Sequence, residues 1–242
     1  MNGASRVDRI AAALLRSVLP PRCVLCGGTG RRERDLCRGC QADLATNPVC
    51  CARCALPLDV AAAACGTCLR RQPPFDAAWA PFRYAHPLDL LEARFKFHGD
   101  LAAGRVLASL MIEAARRDLG DRRPDLLLCV PLHVARLRER GYNQALELGR
   151  PLAKALGLAF DAQALQRLRA TSAQTGLDAR ARRRNLRDAF ALRSGFVAPA
   201  HVAILDDVMT TGTTLRECAR VLRRSGAQRI EVWALARAAA PR

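Results

Sequence analysis

From Phe75 onward the chain alternates short unbroken apolar runs with stretches in which apolar residues recur every three or four positions. The runs at 77–84, 126–130, 202–205 and 230–235 predict strands, and 126–130 and 202–205 have the unbroken apolar character of strands buried on both faces. Helical spacing over 88–97, 101–119, 143–156 and 213–224 predicts helices, with Gly226 as the stop of the last. Strands that alternate with helices imply a parallel sheet and an α/β fold. Upstream, Val7, Ile10, Ala11, Leu14, Leu15 and Val18 are helically spaced and interrupted by Arg9 and Arg16. They predict an amphipathic leader helix over 1–19 that packs on the rest of the protein, with a membrane-surface helix as the alternative. The segment lacks the clean apolar run of an export signal, and no run reaches the roughly 18 apolar residues of a membrane span. The Arg70-Arg71-Gln72-Pro73-Pro74 stretch reads as a linker, because paired prolines stop regular structure. The expected parts are therefore 1–19, 20–74 and 75–242.

The middle part is set apart by cysteine. The chain has 11 cysteines, and the pairs Cys23/Cys26, Cys37/Cys40, Cys51/Cys54 and Cys65/Cys68 each span two intervening residues. The gap from Cys26 to Cys37 equals that from Cys54 to Cys65, which reads as a duplicated module. Each half supplies four thiolates, a closed tetrahedral set for structural Zn²⁺ and so a double zinc ribbon. A module of about 50 residues is too small for a robust core of its own. Metal binding, worth roughly 10–16 kcal/mol, makes up the difference. Cys50 is a spare that could stand in for Cys51, although only Cys51 keeps the spacing to Cys54. Such a cysteine pattern without an export signal fits a reduced, cytoplasmic setting better than disulfides. Arg31, Arg32, Arg34 and Arg38 read either as a nucleic-acid contact or as solvated surface. Cys129 and Cys218 sit in apolar contexts and read as packing residues.

The net charge of +17 favours an anionic partner. Two zinc sites would lower it to about +13. The basic residues are nearly all arginine, and Lys96 and Lys154 are the only lysines. Arginine bias alone is weak evidence for phosphate binding.

The most informative stretch is 202–214. An apolar strand runs into Asp206 and Asp207, then through Val208, Met209, Thr210, Thr211, Gly212, Thr213 and Thr214 into a helix. Ligands of open α/β sheets bind at the carboxyl ends of strands. Backbone N–H groups and threonine hydroxyls at a helix start suit an anion. Two acids beside a phosphate would repel it, so they need another partner, and sugar hydroxyls fit. No Gly-Lys pair or G-x-G-x-x-G fingerprint is present, which excludes the usual nucleoside-triphosphate and dinucleotide loops. The plainer alternative is a buried strand followed by a threonine cap.

This segment resembles the phosphoribosyl diphosphate (PRPP) signature of type I phosphoribosyltransferases. With the cysteine module ahead of it, the chain resembles the ComF family. Lys96 to Gly99, Pro131 to Arg136 with Arg140 to Gln144, and Arg169 to Phe190 are similar to that family's lysine–glycine segment, diphosphate loop and hood loop. The resemblance implies a type I phosphoribosyltransferase fold that binds PRPP with Mg²⁺. It implies the 5-phosphate on Thr210 to Thr214, the ribose hydroxyls on Asp206 and Asp207, diphosphate near Arg136 and Arg140, and Lys96 among the substrate-binding residues. It further implies a lid containing Arg169, Gln174 and Arg182, against the plainer reading of that segment as a basic surface loop. The implied reaction is displacement of diphosphate from C1 of the sugar. Three readings stay open: a transferase with an unidentified acceptor, a regulator that binds without turnover, and a competence or DNA-utilisation factor whose zinc module meets single-stranded DNA or a helicase.

Overall fold

The computed structural model describes residues 21–31, 34–120, 123–169 and 188–240. The leader helix expected over 1–19, Arg32, and the lid residues Gln174 and Arg182 lie outside them. Two short helices, α1 (Arg38–Ala42) and α2 (Gly66–Arg70), belong to the cysteine module. There follow β1 (Ala77–Trp79), β2 (Phe82–Arg83), α3 (Leu88–Phe97), α4 (Leu101–Asp118), β3 (Leu126–Cys129), α5 (Val134–Arg140) and α6 (Gln144–Leu156). The chain then forms β4 (Ala159–Asp161), β5 (Leu165–Arg167), β6 (Phe190–Leu192), β7 (His201–Met209), α7 (Thr213–Arg224) and β8 (Arg229–Arg237).

The main sheet is parallel throughout, in the order β1-β8-β7-β3-β4, with β2 also paired to β8. The expected α/β class and parallel sheet are therefore present. Successive strand residues face opposite sides, so the sheet divides the core in two. Ala203, Leu205, Leu127, Cys129, Trp233 and Leu235 face α3, α4 and α6. Val202, Ile204, Leu128, Ile230 and Val232 face α7 and the antiparallel β5–β6 pair. Helix α6 lies so close to β3 that a Cβ on Gly149 would meet Cys129 Sγ at 2.5 Å. The two cysteine clusters lie on opposite sides of this division. Cys23, Leu36 and Leu44 join the α3/α4 layer, and Cys51, Cys54, Cys65, Cys68 and Phe75 join the α7 layer.

The strand expected over 77–84 is two strands. Pro81 has no N–H to give to a ladder, and its carbonyl instead accepts from Asn47 N at 2.8 Å. The strand expected to stop at Leu205 continues through the acids to Met209, paired along β8 as far as Arg237. Helix α5 and strands β4 to β6 are additional elements. Among the described residues no helix is long and apolar enough to cross a membrane.

Candidate functional site

Each cysteine set closes on a point. The four sulfurs of Cys23, Cys26, Cys37 and Cys40, and those of Cys51, Cys54, Cys65 and Cys68, lie within 4.8 Å of one another. Zn–S bonds of about 2.3 Å in a tetrahedron put sulfurs about 3.8 Å apart. Cys26 and Cys37 stand 3.8 Å apart, and Cys54 and Cys65 3.7 Å. The electrostatics of both sets call for a cation. Burial would raise Cys23, but hydrogen bonds from the Cys26 and Cys37 backbones bring it to about 6. Burial and the hydrogen-bonded Cys37, Cys23 and Cys26 sulfurs push Cys40 upward. Four thiolates cannot crowd together uncompensated, and a dication removes the conflict. Cys50 stays outside the second set, half-buried, and Cys51 takes the position that the spacing favours.

The turn after β7 is held by its own geometry. Gly212 caps α7 with φ 69° and ψ 13°, a left-handed conformation that suits glycine. Thr211 Oγ1 and Thr213 Oγ1 are 2.8 Å apart, and Arg216 N donates to Gly212 O at 2.9 Å. Thr210 is exposed, Thr211 and Thr214 are half-buried and Thr213 is buried. The Met209 side chain lies in the core with its methyl packed against Gly212 of the turn, and Val208 is half-buried.

The two acids are not equivalent. Asp206 is half-buried and accepts from Asp207 N at 2.9 Å. Asp207 is only 6% exposed and meets Lys96 Nζ at 2.9 Å. Lys96 stands one helical turn beyond Glu92, with Nζ 4.0 Å from its carboxylate. Glu92 is 1% exposed and is buried against Asp207 and Lys96. Burial, then the charge of Asp207, pushes Asp206 up to about 8. Burial would raise Asp207 too, but the Lys96 ammonium and the Glu92 carboxyl bring it down to about 2. Burial and Asp207 push Glu92 well above the usual carboxyl range. One ammonium thus holds a three-carboxyl cluster together, while the other Asp207 oxygen accepts from Val208 N at 2.6 Å.

Arg140 lies over the Phe97 ring at 5.6 Å, beside the end of α3, and donates to Gln144 at 3.0 Å. Arg136 pairs with Glu139 at 2.9 Å and is half-buried. Arg169 is exposed, two residues after the end of β5. Three residues escaped the sequence reading. Glu92 was signalled by its i,i+4 relation to Lys96. Arg167 lies 5.5 Å over Phe190 and is felt by Asp206, a pairing that no sequence pattern announces. Arg237 ends an apolar strand and is buried beneath the turn. Elsewhere, a cleft of about 1150 Å³ between the first cysteine set and α4 is lined by Arg31, Arg34, Arg38, Arg116 and Arg117, with Glu113 as its acid.

A family model described as "Double zinc ribbon domain" matches residues 14–69, and one described as "Phosphoribosyl transferase domain" matches 143–242. "DNA utilization protein YhgH" of Salmonella typhimurium is 39% identical over 205 residues, 84% of this chain and 90% of its own. "Competence protein F" of Haemophilus influenzae is 37% identical over 223 residues, 90% of this chain and 97% of its own. Among solved structures, the glutamine PRPP amidotransferase from B. subtilis is 20% identical, with a TM-score of 0.39 over 55% of this chain and 26% of that one. That last likeness is too low to carry an argument.

Proposed function

Because the chain belongs to the family of DNA utilization protein YhgH and Competence protein F, we propose that it binds PRPP with Mg²⁺ at the turn between β7 and α7 and serves in the use of imported DNA. The observation that carries this reading is the sequence of groups at the exit of β7. An acid pair near the end of β7 is followed, after Val208 and Met209, by a threonine turn that Gly212 locks onto a helix start.

In this reading the 5-phosphate rests on residues 210–214, where backbone N–H groups and hydroxyls converge on an anion. Asp206, the half-exposed acid, accepts from one ribose hydroxyl. Asp207 accepts from the other once Lys96 turns from it toward the diphosphate. In that exchange the ammonium stays paired with an anion, and the ribose hydroxyl takes its place as hydrogen-bond donor to Asp207. Arg136 and Arg140 complete the diphosphate contacts. Bound with the diphosphate, Mg²⁺ supplies the positive charge that eases departure of the leaving group. The carboxylates beside the ribose stabilise the cationic character that develops at C1 as diphosphate leaves.

Titration calorimetry tests the binding. PRPP with Mg²⁺ binds the native chain, and Asp206→Asn weakens it by about tenfold or more, which is about 1.4 kcal/mol. Native and Asp206→Asn chains with equal affinity would refute the assignment. Release of diphosphate in the presence of candidate bases separates a transferase from a regulator that only binds.

The arginine-lined cleft favours a second reading for the amino-terminal half, contact with single-stranded DNA through its phosphates. Binding there falls steeply with salt and survives Asp206→Asn.

A further inference from the structure

Arg237 is the last residue of β8 and only 7% exposed. Its Nε donates to the carbonyl of Cys54, in the second cysteine set, at 3.0 Å. One terminal nitrogen of the same guanidinium donates to Met209 O at 2.9 Å and to Ala238 O at 2.7 Å, and also reaches Thr210 O. Met209 and Thr210 are where β7 becomes the phosphate turn. A single rigid fork therefore grips a metal knuckle with one edge and the start of the turn with another.

The charges agree with the geometry. Among the described residues no carboxylate pairs with Arg237, and the negative groups that it feels are Cys54 and Cys65. Arg216, in the first turns of α7, feels Cys68 and Cys54, and its guanidinium stacks 5.7 Å over Phe75. A four-thiolate zinc site carries about two net negative charges. Arg237 against the start of the turn and Arg216 just beyond its end offset them. Among the described residues no side chain joins the first cysteine set to the turn: Arg34 is committed to Gln41, Ser109 O and Glu113, and Arg94, which donates to the Val24 carbonyl in the first knuckle, pairs with Asp100.

We propose that Arg237 is a positioning residue that ties the second four-cysteine site to the phosphate turn, so that the turn keeps its ligand-ready shape only while that site is metallated. The proposal rests on the assignment of the turn to phosphate, but the tie itself needs no ligand. A buried arginine whose partners are backbone carbonyls cannot easily exchange them for water. Loss of the metal frees the Cys54 backbone, whose carbonyl anchors one edge of the guanidinium, and the turn loosens with it.

Hydrogen exchange on the full zinc-loaded chain, without ligand, tests this. Cys65→Ser raises exchange in the peptide over 209–215 by about tenfold, while Cys37→Ser leaves it unchanged. In an Arg237→Lys background, which keeps the charge but cannot span both sides, the turn already exchanges faster and Cys65→Ser adds less than about twofold. Protection over β3 and the middle of β8 falls by less than that over the turn in all these variants. The proposal is overturned if Cys65→Ser leaves the turn protected, if it acts equally with Lys at 237, or if β3 opens in parallel. Should Arg237→Lys fail to fold, the contrast between Cys65→Ser and Cys37→Ser still decides. A chain that binds no PRPP gives the same exchange result, so failure of the ligand assignment remains distinguishable.

Discussion

The two cysteine sets share one spacing and live in different surroundings. In the first, Cys26 is exposed and Cys37 and Cys40 are half-buried. It lies at a surface beside the arginine-lined cleft and α4. In the second, all four cysteines are buried among residues that also contact the sheet and α7. Identical ligand sets can therefore do different work: one shapes a rim, and the other is part of the wall behind the phosphate turn. The difference lies in the neighbours, Arg34 with Gln41 and Glu113 on one side and Arg237 with Met209 and Thr210 on the other.

The comparison is tested most severely by removing one ligand from each site. Cys65→Ser should lower the melting temperature by more than about 10 °C, because a buried site supplies folding free energy to the whole α7 layer. Cys37→Ser should cost less than half of that in the same thermal scan. Equal losses would mean that surroundings do not matter.

A change on the other side of the sheet sharpens the contrast. Lys96→Met leaves Asp207 buried without its ammonium. It should cost about 3 kcal/mol in urea unfolding, with zinc content unchanged. Adding Asp207→Asn should recover much of the loss, since the stranded charge is then gone.

The same pair sets the response to acid. Asp207 is held near 2 against an ordinary 3.8, so it contributes stability that is present above pH 4 and lost as pH falls toward 2. That contribution is about 2 kcal/mol, and Asp207→Asn should flatten this part of the curve. Asp206 acts in the opposite sense. Its raised value means that stability falls as pH climbs from about 4 to 8, a slope that Asp206→Asn should remove.

The smallest effect belongs to the exposed cleft. If single-stranded DNA lies there, Arg116→Gln with Arg117→Gln should reduce the salt slope of binding by about 1 to 2 while leaving stability within about 0.5 kcal/mol. An unchanged slope would remove DNA from the cleft.

Much of this was legible in the residues. Cysteine spacing needs no tertiary context, because a two-residue gap brings both sulfurs to one ion, and the Asp206–Thr214 segment announces itself by chemistry that few cores tolerate. The strands with unbroken apolar runs were found for the same reason. What escaped depends on partners far along the chain. Asp206 and Asp207 look like the end of a strand, yet β8 keeps pairing with β7 beyond them to Met209. The β5–β6 pair is only three residues on each side and takes its stability from Leu165 and Phe190 entering the α7 layer. Arg237 and Glu92 read as ordinary charges until the fold surrounds them, and only then does Arg237 face Cys54 or Glu92 approach Asp207.

The central claim is that the turn after β7 grips the phosphate of a phosphoribosyl ligand. Backbone amide NMR during titration with PRPP and Mg²⁺ tests it most directly. The account predicts that the amides of Thr210, Thr211, Gly212, Thr213 and Thr214 shift together and saturate, and that Asp206→Asn moves the midpoint to higher ligand concentration. Amides of the turn that stay in place at saturating PRPP would contradict it.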